Sequence, residues 1–355
     1  MKGAPIHVVD MFCGAGGLTR GLKDAGLDVI AGIDADGDCK YPYERNNGAK
    51  FIHRDARSLD PVEIDSLFPE SGYRVLVGCA PCQPFTRLGN LKGDPRVKDW
   101  DLLKCFTRVA EHIRPHVISM ENVPSLMRHE VFGEFMQSLS DLGYHIDAKV
   151  VQCERYAVPQ VRRRLVVLAS RLGKVELASP KKGLKPRTVR SAIGNLEPLR
   201  AGSGSRRDPL HRARNLTDIN QRRIRQSKPG GTWRDWDEAL RLNCHRSESG
   251  KSFDSVYGRM EWDRPSPTIT TEFSNLGSGR FGHPEQDRAI TPREAALLQT
   301  FGKGYRFLEP GKLFSFAALG RWIGNAVPVN LAKEIGLAIR GHIDEFDRNF
   351  AFLSL

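Results

Sequence analysis

The sequence predicts an α/β protein: a doubly wound, mostly parallel sheet covered by helices, with a second, smaller domain of irregular or β character. Three observations predict it. Short β-rich runs alternate with helical stretches through the first half of the chain. Several runs have near-continuous apolar cores, such as VLVG and VISM, which suit strands buried on both faces. The connections between them are long enough for crossovers. In order, the runs are His7–Cys13, Asp28–Asp34, Lys50–His53, Arg74–Gly78, His116–Glu121, His145–Val151 and Arg164–Ser170. A length of 355 residues fits two domains at ~100–200 residues each.

From about Ser179 the texture changes to Gly, Ser, Pro and Arg with little periodicity. The expected organisation is a first domain over residues 1–178, a small domain over residues 179–310, and a return to the first domain over residues 311–355. Within the small domain SPTITT and SVYGRM are the best strand candidates. Thr291-Pro292-Arg293-Glu294 reads as a capping box with Pro at the first helical position, followed by AALLQTF and a stop at Gly302. A last amphipathic helix is predicted from Pro328 to about His342. Leu331, Ile335, Ala338 and Ile339 form its apolar face, which belongs in the layer of the first domain. There are no internal repeats.

The net charge of +12 is concentrated in one place. Lys181 to Lys228 holds 14 Lys/Arg against Glu197, Asp208 and Asp218, a net of +11. A solvated basic loop is the bland explanation. So local an excess beside a nearly neutral remainder favours a polyanion, most simply nucleic acid. An anionic membrane is disfavoured because no suitable amphipathic helix accompanies the charge. No run approaches the ~18 apolar residues of a membrane span, and the start MKGAPIHVVD lacks a signal-peptide pattern. Seven scattered cysteines fit a reducing compartment. The expectation is a soluble, cytoplasmic protein.

Four constellations carry chemistry. Asp10-Met11-Phe12-Cys13-Gly14-Ala15-Gly16-Gly17 ends the first strand, and Leu18 opens a helix face. Small residues let backbone approach a ligand at a helix N-terminus, although G-x-G-G departs from the dinucleotide pattern G-x-G-x-x-G. Asp34, followed by Ala35, ends the second strand where ribose hydroxyls would be bound. Asp55, followed by Ala56, stands after the third, in reach of an adenine amino group. A nucleoside-like cofactor without a required pyrophosphate fits better than NAD. The second constellation is Gly78-Cys79-Ala80-Pro81-Cys82-Gln83-Pro84-Phe85, a Pro-flanked turn able to expose a thiolate nucleophile. Cys79 and Cys82 could also be a redox pair or half a zinc site. No second C-x-x-C exists, and Pro84 interrupts the helix a redox pair expects, so no metal is anticipated. Cys79, next to the strand, reads as a small buried residue. The third is Glu121-Asn122-Val123, a carboxylate at a strand end suited to acid chemistry or to a structural ion pair. The fourth is Gln160-Val161-Arg162-Arg163-Arg164, where Arg162 and Arg164 share one face unless the run is a solvated edge.

Taken together and in this order, DMFCGAGG, APCQPF, ENV, QVRRR, TPREAALLQTF and Gly324-Asn325-Ala326-Val327-Pro328 resemble the motifs of the cytosine-C5 methyltransferases, from one end of the chain to the other. The family often has Ser where this chain has Ala326. The resemblance implies a class I, Rossmann-like methyltransferase fold, with residues 1–178 as catalytic and cofactor-binding domain and the basic segment inside a target-recognition domain. It implies S-adenosylmethionine as methyl donor, with Phe12 near the adenine, Asp34 on the ribose, Pro81 in the pocket, and Asn325, Ala326 and Val327 closing it. Cys82 would attack C6 of cytosine, with Glu121 at N3 and the amino group. Arg164, supported by Arg162, would hold the base and a nearby phosphate. The target carbons lie within the base stack, so the base must flip out, and the loop from Gln83 to about Trp100 reads as a lid. Expected DNA contacts are Gln83, Arg87, Arg222, Arg223 and Arg225. The implied partner is double-stranded DNA, with a cognate restriction endonuclease encoded nearby, and the protein is expected to act as a monomer.

Competing explanations are a tRNA cytosine-C5 methyltransferase, a catalytically silent DNA-binding regulator, and a redox or zinc protein. The long basic segment, SPTITT and RFGHPEQ look more like the bacterial DNA enzymes. A silent regulator would have no need of Cys82, Glu121 and Arg164 together.

Overall fold

Each of the seven apolar runs folds as a strand, within one or two residues of its expected bounds: β1 Ile6–Met11, β2 Asp28–Asp34, β3 Lys50–His53, β4 Tyr73–Gly78, β5 Val117–Asn122, β6 His145–Gln152 and β7 Arg163–Ser170. The computed structural model describes residues 4–81, 101–180, 183, 185–246 and 253–353. Two units emerge. The first comprises Met1–Tyr156, Arg163–Lys182 and Val327–Leu355, and the second Ala157–Arg162 and Gly183–Ala326.

In the first unit the strands form one sheet in the order β3-β2-β1-β4-β5-β7-β6. β3, β2, β1, β4 and β5 are parallel, while β7 runs antiparallel to both β5 and β6. All six residues of β5 are buried, as expected of a strand covered on both faces. The helices α1 Gly17–Asp24, α2 Lys40–Asn47, α3 Pro61–Asp65, α4 Asp101–Ile113 and α5 Glu130–Asp141 supply the cover. α4 presents Leu102, Leu103, Phe106, Val109 and Ala110 to a core shared with Val9, Leu76, Ile118 and Val167. Strand order reverses between β1 and β4, and a sheet of this kind opens a crevice at the carboxyl ends of its strands there.

The C-terminal helix Val329–Leu353 packs on α1, so the chain returns to the first unit. It runs about three turns past its expected end at His342. The two helices approach closely because Gly21 has no side chain: a Cβ there would stand 2.4 Å from Ala332 Cβ. No helix among the described residues is long and apolar enough to cross a membrane.

The second unit holds α6 Val189–Ile193, α7 Asp218–Gln226, α8 Asn243–Arg246, α9 Pro292–Leu298 and α10 Phe316–Gly324. The capping box is present: Thr291 and Glu294 cap each other, with Pro292 in the first turn. Because α10 packs on α9, this unit extends to Ala326, beyond the boundary expected at residue 310. SPTITT and SVYGRM are not strands. They make isolated bridges only, through Ser266 to Gln160 and through Arg259 to Pro229 and Gly282. Side chains take the place of a ladder. The buried Arg259 guanidinium donates to the carbonyls of Ser227, Ile224, His283 and Gln286 at 2.7–2.9 Å. Arg288 and Glu294, both buried, form a two-pronged ion pair at 2.8 and 2.7 Å.

Candidate active site

At the carboxyl ends of β1 to β4 the first unit has a cleft with about 410 Å³ of atom-free space, part of it open to solvent. Its lining is Met11, Phe12, Ile33, Asp34, Ala35, Arg54, Asp55, Ala56, Arg57, Pro81 and Leu102. Six of the expected cofactor residues are therefore brought together: Phe12, Asp34, Ala35, Asp55, Ala56 and Pro81. Ile33, Arg54, Arg57 and Leu102 were not anticipated as lining residues, since no motif marks them. Phe12 has φ 61, an uncommon conformation for a bulky side chain, and Gly14 and Gly16 also have positive φ. The chain thus leaves β1 in a tight left-handed turn with the Phe12 ring at the cleft.

Asp34 holds this turn. One carboxylate oxygen accepts the Gly14 N–H at 2.8 Å, and the other accepts the Asp36 N–H at 2.8 Å. Burial raises its pKa, opposed by these same N–H groups. Gly14 is therefore tied to the cleft through Asp34, while Ala15, Gly16, Gly17 and Leu18 are buried at the start of α1 and do not line it. Beneath the turn, fully buried Asp10 accepts the Thr19 hydroxyl at 2.6 Å. Burial pushes its carboxyl up to about 7, and the charge of Asp34 adds to the effect. Asp55 caps a short helical turn by accepting the Arg57 N–H at 2.9 Å.

The parallel register of β4 on β5 ends on the pair Gly78 and Met120, and beyond it Cys79 and Ala80 are joined to Glu121 and Asn122 by side-chain hydrogen bonds. Glu121 is buried. Its Oε2 accepts the Cys79 thiol at 2.9 Å, and Arg164 Nε lies 2.9 Å from Oε1. That second contact is an ion pair off the hydrogen-bond direction, and Oε1 has no hydrogen-bond partner among the described residues. Charge attraction needs no alignment of the N–H, so Oε1 is paired with the guanidinium charge yet keeps its lone pairs. Asn122 donates to the Ala80 carbonyl at 3.1 Å, pinning the segment that leads in sequence to Cys82. Cys79 is half-exposed and bonded to Glu121, not the small buried residue expected. Cys82, Gln83 and Arg87, and the lid segment, lie outside the described residues.

Arg162 and Arg164 serve different partners. The Arg162 guanidinium is buried in the second unit, donating to the carbonyls of Ile269 at 3.0 Å, Gly324 at 3.1 Å and Ala326 at 3.3 Å. It organises main chain there, so the support expected of it for Arg164 would act through backbone and not through an open contact to a base. Gln160 and Gln299, which the sequence did not single out in this sense, join it: Gln160 Nε2 bonds Gln299 Oε1 at 2.9 Å, and Gln299 bonds the Ile323 carbonyl at 2.7 Å. Asn325 is exposed at the end of α10, Ala326 is half-buried, and Val327 is buried in the first unit.

On α7, Arg222 and Arg225 are exposed, Arg225 lying 3.6 Å from Asp287. Arg223 is not a surface contact. It is buried, donates to the Leu240 carbonyl at 2.9 Å, and lies over the rings of Trp236 and Tyr257. A charge count along the sequence cannot separate these three, because the aromatic partners are distant in the chain. Among the described residues no cluster of His, Cys, Asp or Glu is arranged to hold a metal.

The family model of C-5 cytosine-specific DNA methylases matches residues 6–341. The chain is 49% identical over 341 residues to the Type II methylase M.HgiDII of Herpetosiphon aurantiacus, covering 95% of this chain and 96% of that one. It is 30% identical over 361 residues to the Type II methyltransferase M.Eco47II of Escherichia coli, covering 96% and 80%. Among solved structures it resembles a prophage-encoded E. coli chain designated a DNA modification methyltransferase, with TM-score 0.72, 21% identity and coverage of 96% and 99%. The S. pombe Dnmt2 methyltransferase superposes with TM-score 0.64 at 19% identity, covering 96% and 99%. These two likenesses concern the fold.

Proposed function

We propose, from the premise that this chain belongs to the C-5 cytosine-specific DNA methylase family, that it methylates C5 of a flipped cytosine within a specific duplex sequence through a covalent bond from Cys82 to C6. The enzyme is a DNA cytosine-5 methyltransferase, and its methyl donor is S-adenosylmethionine. The observation that carries the finer reading is Glu121. It is a buried carboxylate at a strand's carboxyl end, one oxygen still able to make a hydrogen bond, with Arg164 at its side.

The cleft fits the donor. Phe12 offers an aromatic face, Ile33, Ala35, Ala56, Pro81 and Leu102 offer apolar walls, and Asp34 retains lone pairs for ribose hydroxyls beyond the two N–H groups it accepts. When bound, S-adenosylmethionine supplies an electrophilic methyl group. The chain's own residues do the rest. The Cys82 thiolate adds to C6 while a proton carried by Glu121 passes to N3 and the carboxylate accepts a hydrogen bond from the exocyclic amino group, so that electron density gathers at C5. After methylation C5 gives up its proton to water, N3 returns its proton to Glu121, the C5–C6 double bond reforms, and Cys82 leaves as thiolate. Arg164 supplies the positive charge that faces the Glu121 carboxylate.

The most direct test is bisulfite sequencing of DNA from cells that express the protein. One fully modified sequence is expected, and unmodified DNA would refute the reading. In its host the enzyme acts in the cytoplasm as a monomer, protecting the chromosome from a cognate endonuclease.

Asp34→Ala is expected to weaken cofactor binding by ~1.5–3 kcal/mol, or ~10–150-fold in Kd, because hydrogen bonds to a charged acceptor are lost. Calorimetry with S-adenosylmethionine reads this, and an unchanged Kd would make Asp34 purely structural. For DNA, each neutralised phosphate contributes ~0.9 to the slope of log K against log salt. The Arg222→Ala, Arg225→Ala double variant should flatten the slope by up to ~2. A slope equal to that of the parent enzyme would mean that both side chains face solvent in the complex.

A further inference from the structure

The thiol of Cys79 has no step in the reaction above, yet it touches the residue on which that reaction turns. Its position is set by backbone. The Cys79 N–H donates to the Met11 carbonyl at 3.3 Å, extending the β1–β4 pairing, and the neighbouring Ala80 carbonyl accepts from Asn122. The thiol is thereby delivered to Oε2 of Glu121 at 2.9 Å. The other oxygen, Oε1, is attracted by Arg164 without a directed hydrogen bond. A guanidinium charge alone tolerates rotation of the carboxylate about its last bond, since either oxygen can face it. A directed donor on Oε2 does not. It sets the plane of the carboxylate and distinguishes the two oxygens.

We infer that Cys79 is a positioning residue for methyl transfer: its thiol hydrogen bond to Oε2 fixes the Glu121 carboxylate so that Oε1 is the oxygen that meets the cytosine ring. This rests on the assignment of Glu121 in the proposed function. Cys79 itself makes no bond to the base and gives up no proton in the reaction. Its contribution is the geometry of the acid, and a catalytic group misplaced by a fraction of an ångström loses a large part of its effect.

The test is a double-mutant cycle on the whole enzyme, read by labelled methyl transfer to duplex DNA. Cys79→Ala removes the donor and Cys79→Ser keeps one. Calorimetric binding of S-adenosylmethionine verifies the fold of each variant. Cys79→Ala is expected to lower kcat by about ten- to a hundredfold while KM for DNA stays within about twofold. Cys79→Ser is expected to recover most of the loss, and Cys79→Ala is expected to cost little more once Glu121→Gln is present. Equal rates for Cys79→Ala and the parent enzyme, equal damage from Ala and Ser, or an undiminished effect in the Glu121→Gln background would each overturn the inference. The two readings fail separately. If Glu121→Gln alone keeps parental kcat, it is the role of Glu121 that falls.

Discussion

Glu121→Gln is expected to lower kcat for DNA methylation by about a thousandfold, within the ~10²–10⁴ that a positioned proton donor contributes, with KM for DNA and the affinity for S-adenosylmethionine nearly unchanged. The amide is close to the carboxyl group in size, so the loss is chemical rather than steric. It carries no charge and offers ring N3 no acidic proton as Cys82 adds to C6. Nor can it serve both its neighbours. An amide that turns its oxygen to the Cys79 thiol presents its NH2 group to Arg164 Nε, where Glu121 Oε1 now stands at 2.9 Å. Donor then meets donor, and the nearly buried Arg164 side chain is left without its counter-charge. A lower melting temperature should accompany the slower turnover, so rates belong well below the transition. A kcat within tenfold of the parent enzyme would remove Glu121 from the chemistry.

The sheet was legible because strands buried on both faces read as apolar runs with little else in them. β2 and β3 keep their expected bounds, and β5 gains only Asn122 while losing His116. The C-terminal helix was legible in place but not in length. Its apolar face fades after Ile343, yet no proline or capping signal stops it, and Tyr73 meets Phe346 edge to face beyond the expected end. The second unit was legible in composition only. Where Arg259 and Arg288 satisfy backbone and carboxylate groups from within, alternation of apolar and polar residues carries no information, and SPTITT and SVYGRM mislead. Arg223 failed for the same reason, since its cover is supplied by Trp236 and Tyr257.

The placement of the candidate site was legible wherever a residue stands at a strand end. Phe12, Asp34, Asp55 and Pro81 stand at the ends of different parallel strands and converge on one cleft. Glu121 follows the same rule at the end of β5. Tasks that depend on a neighbour's side chain were not legible. The Cys79 thiol reaches Glu121 from just past the end of β4, and the Gly324 and Ala326 carbonyls reach Arg162 through the course of the second unit.

The covalent bond from Cys82 to C6 can be read on one gel. Duplex DNA carrying 5-fluorocytosine at the target should trap the enzyme when S-adenosylmethionine is present. Once C5 is methylated, loss of its substituent must precede departure of Cys82, and fluorine cannot leave as a cation. The adduct therefore survives denaturation as a band of reduced mobility. Without the methyl donor the addition reverses and no stable band forms. Cys82→Ser should abolish the band, because a hydroxyl of far higher pKa than a thiol supplies almost no anion at neutral pH. Cys79→Ser should retain it, because a hydroxyl still donates to Glu121 Oε2 and the nucleophile is untouched. A shifted band that persists in Cys82→Ser, or that vanishes in Cys79→Ser but not in Cys82→Ser, would contradict the assignment of the nucleophile.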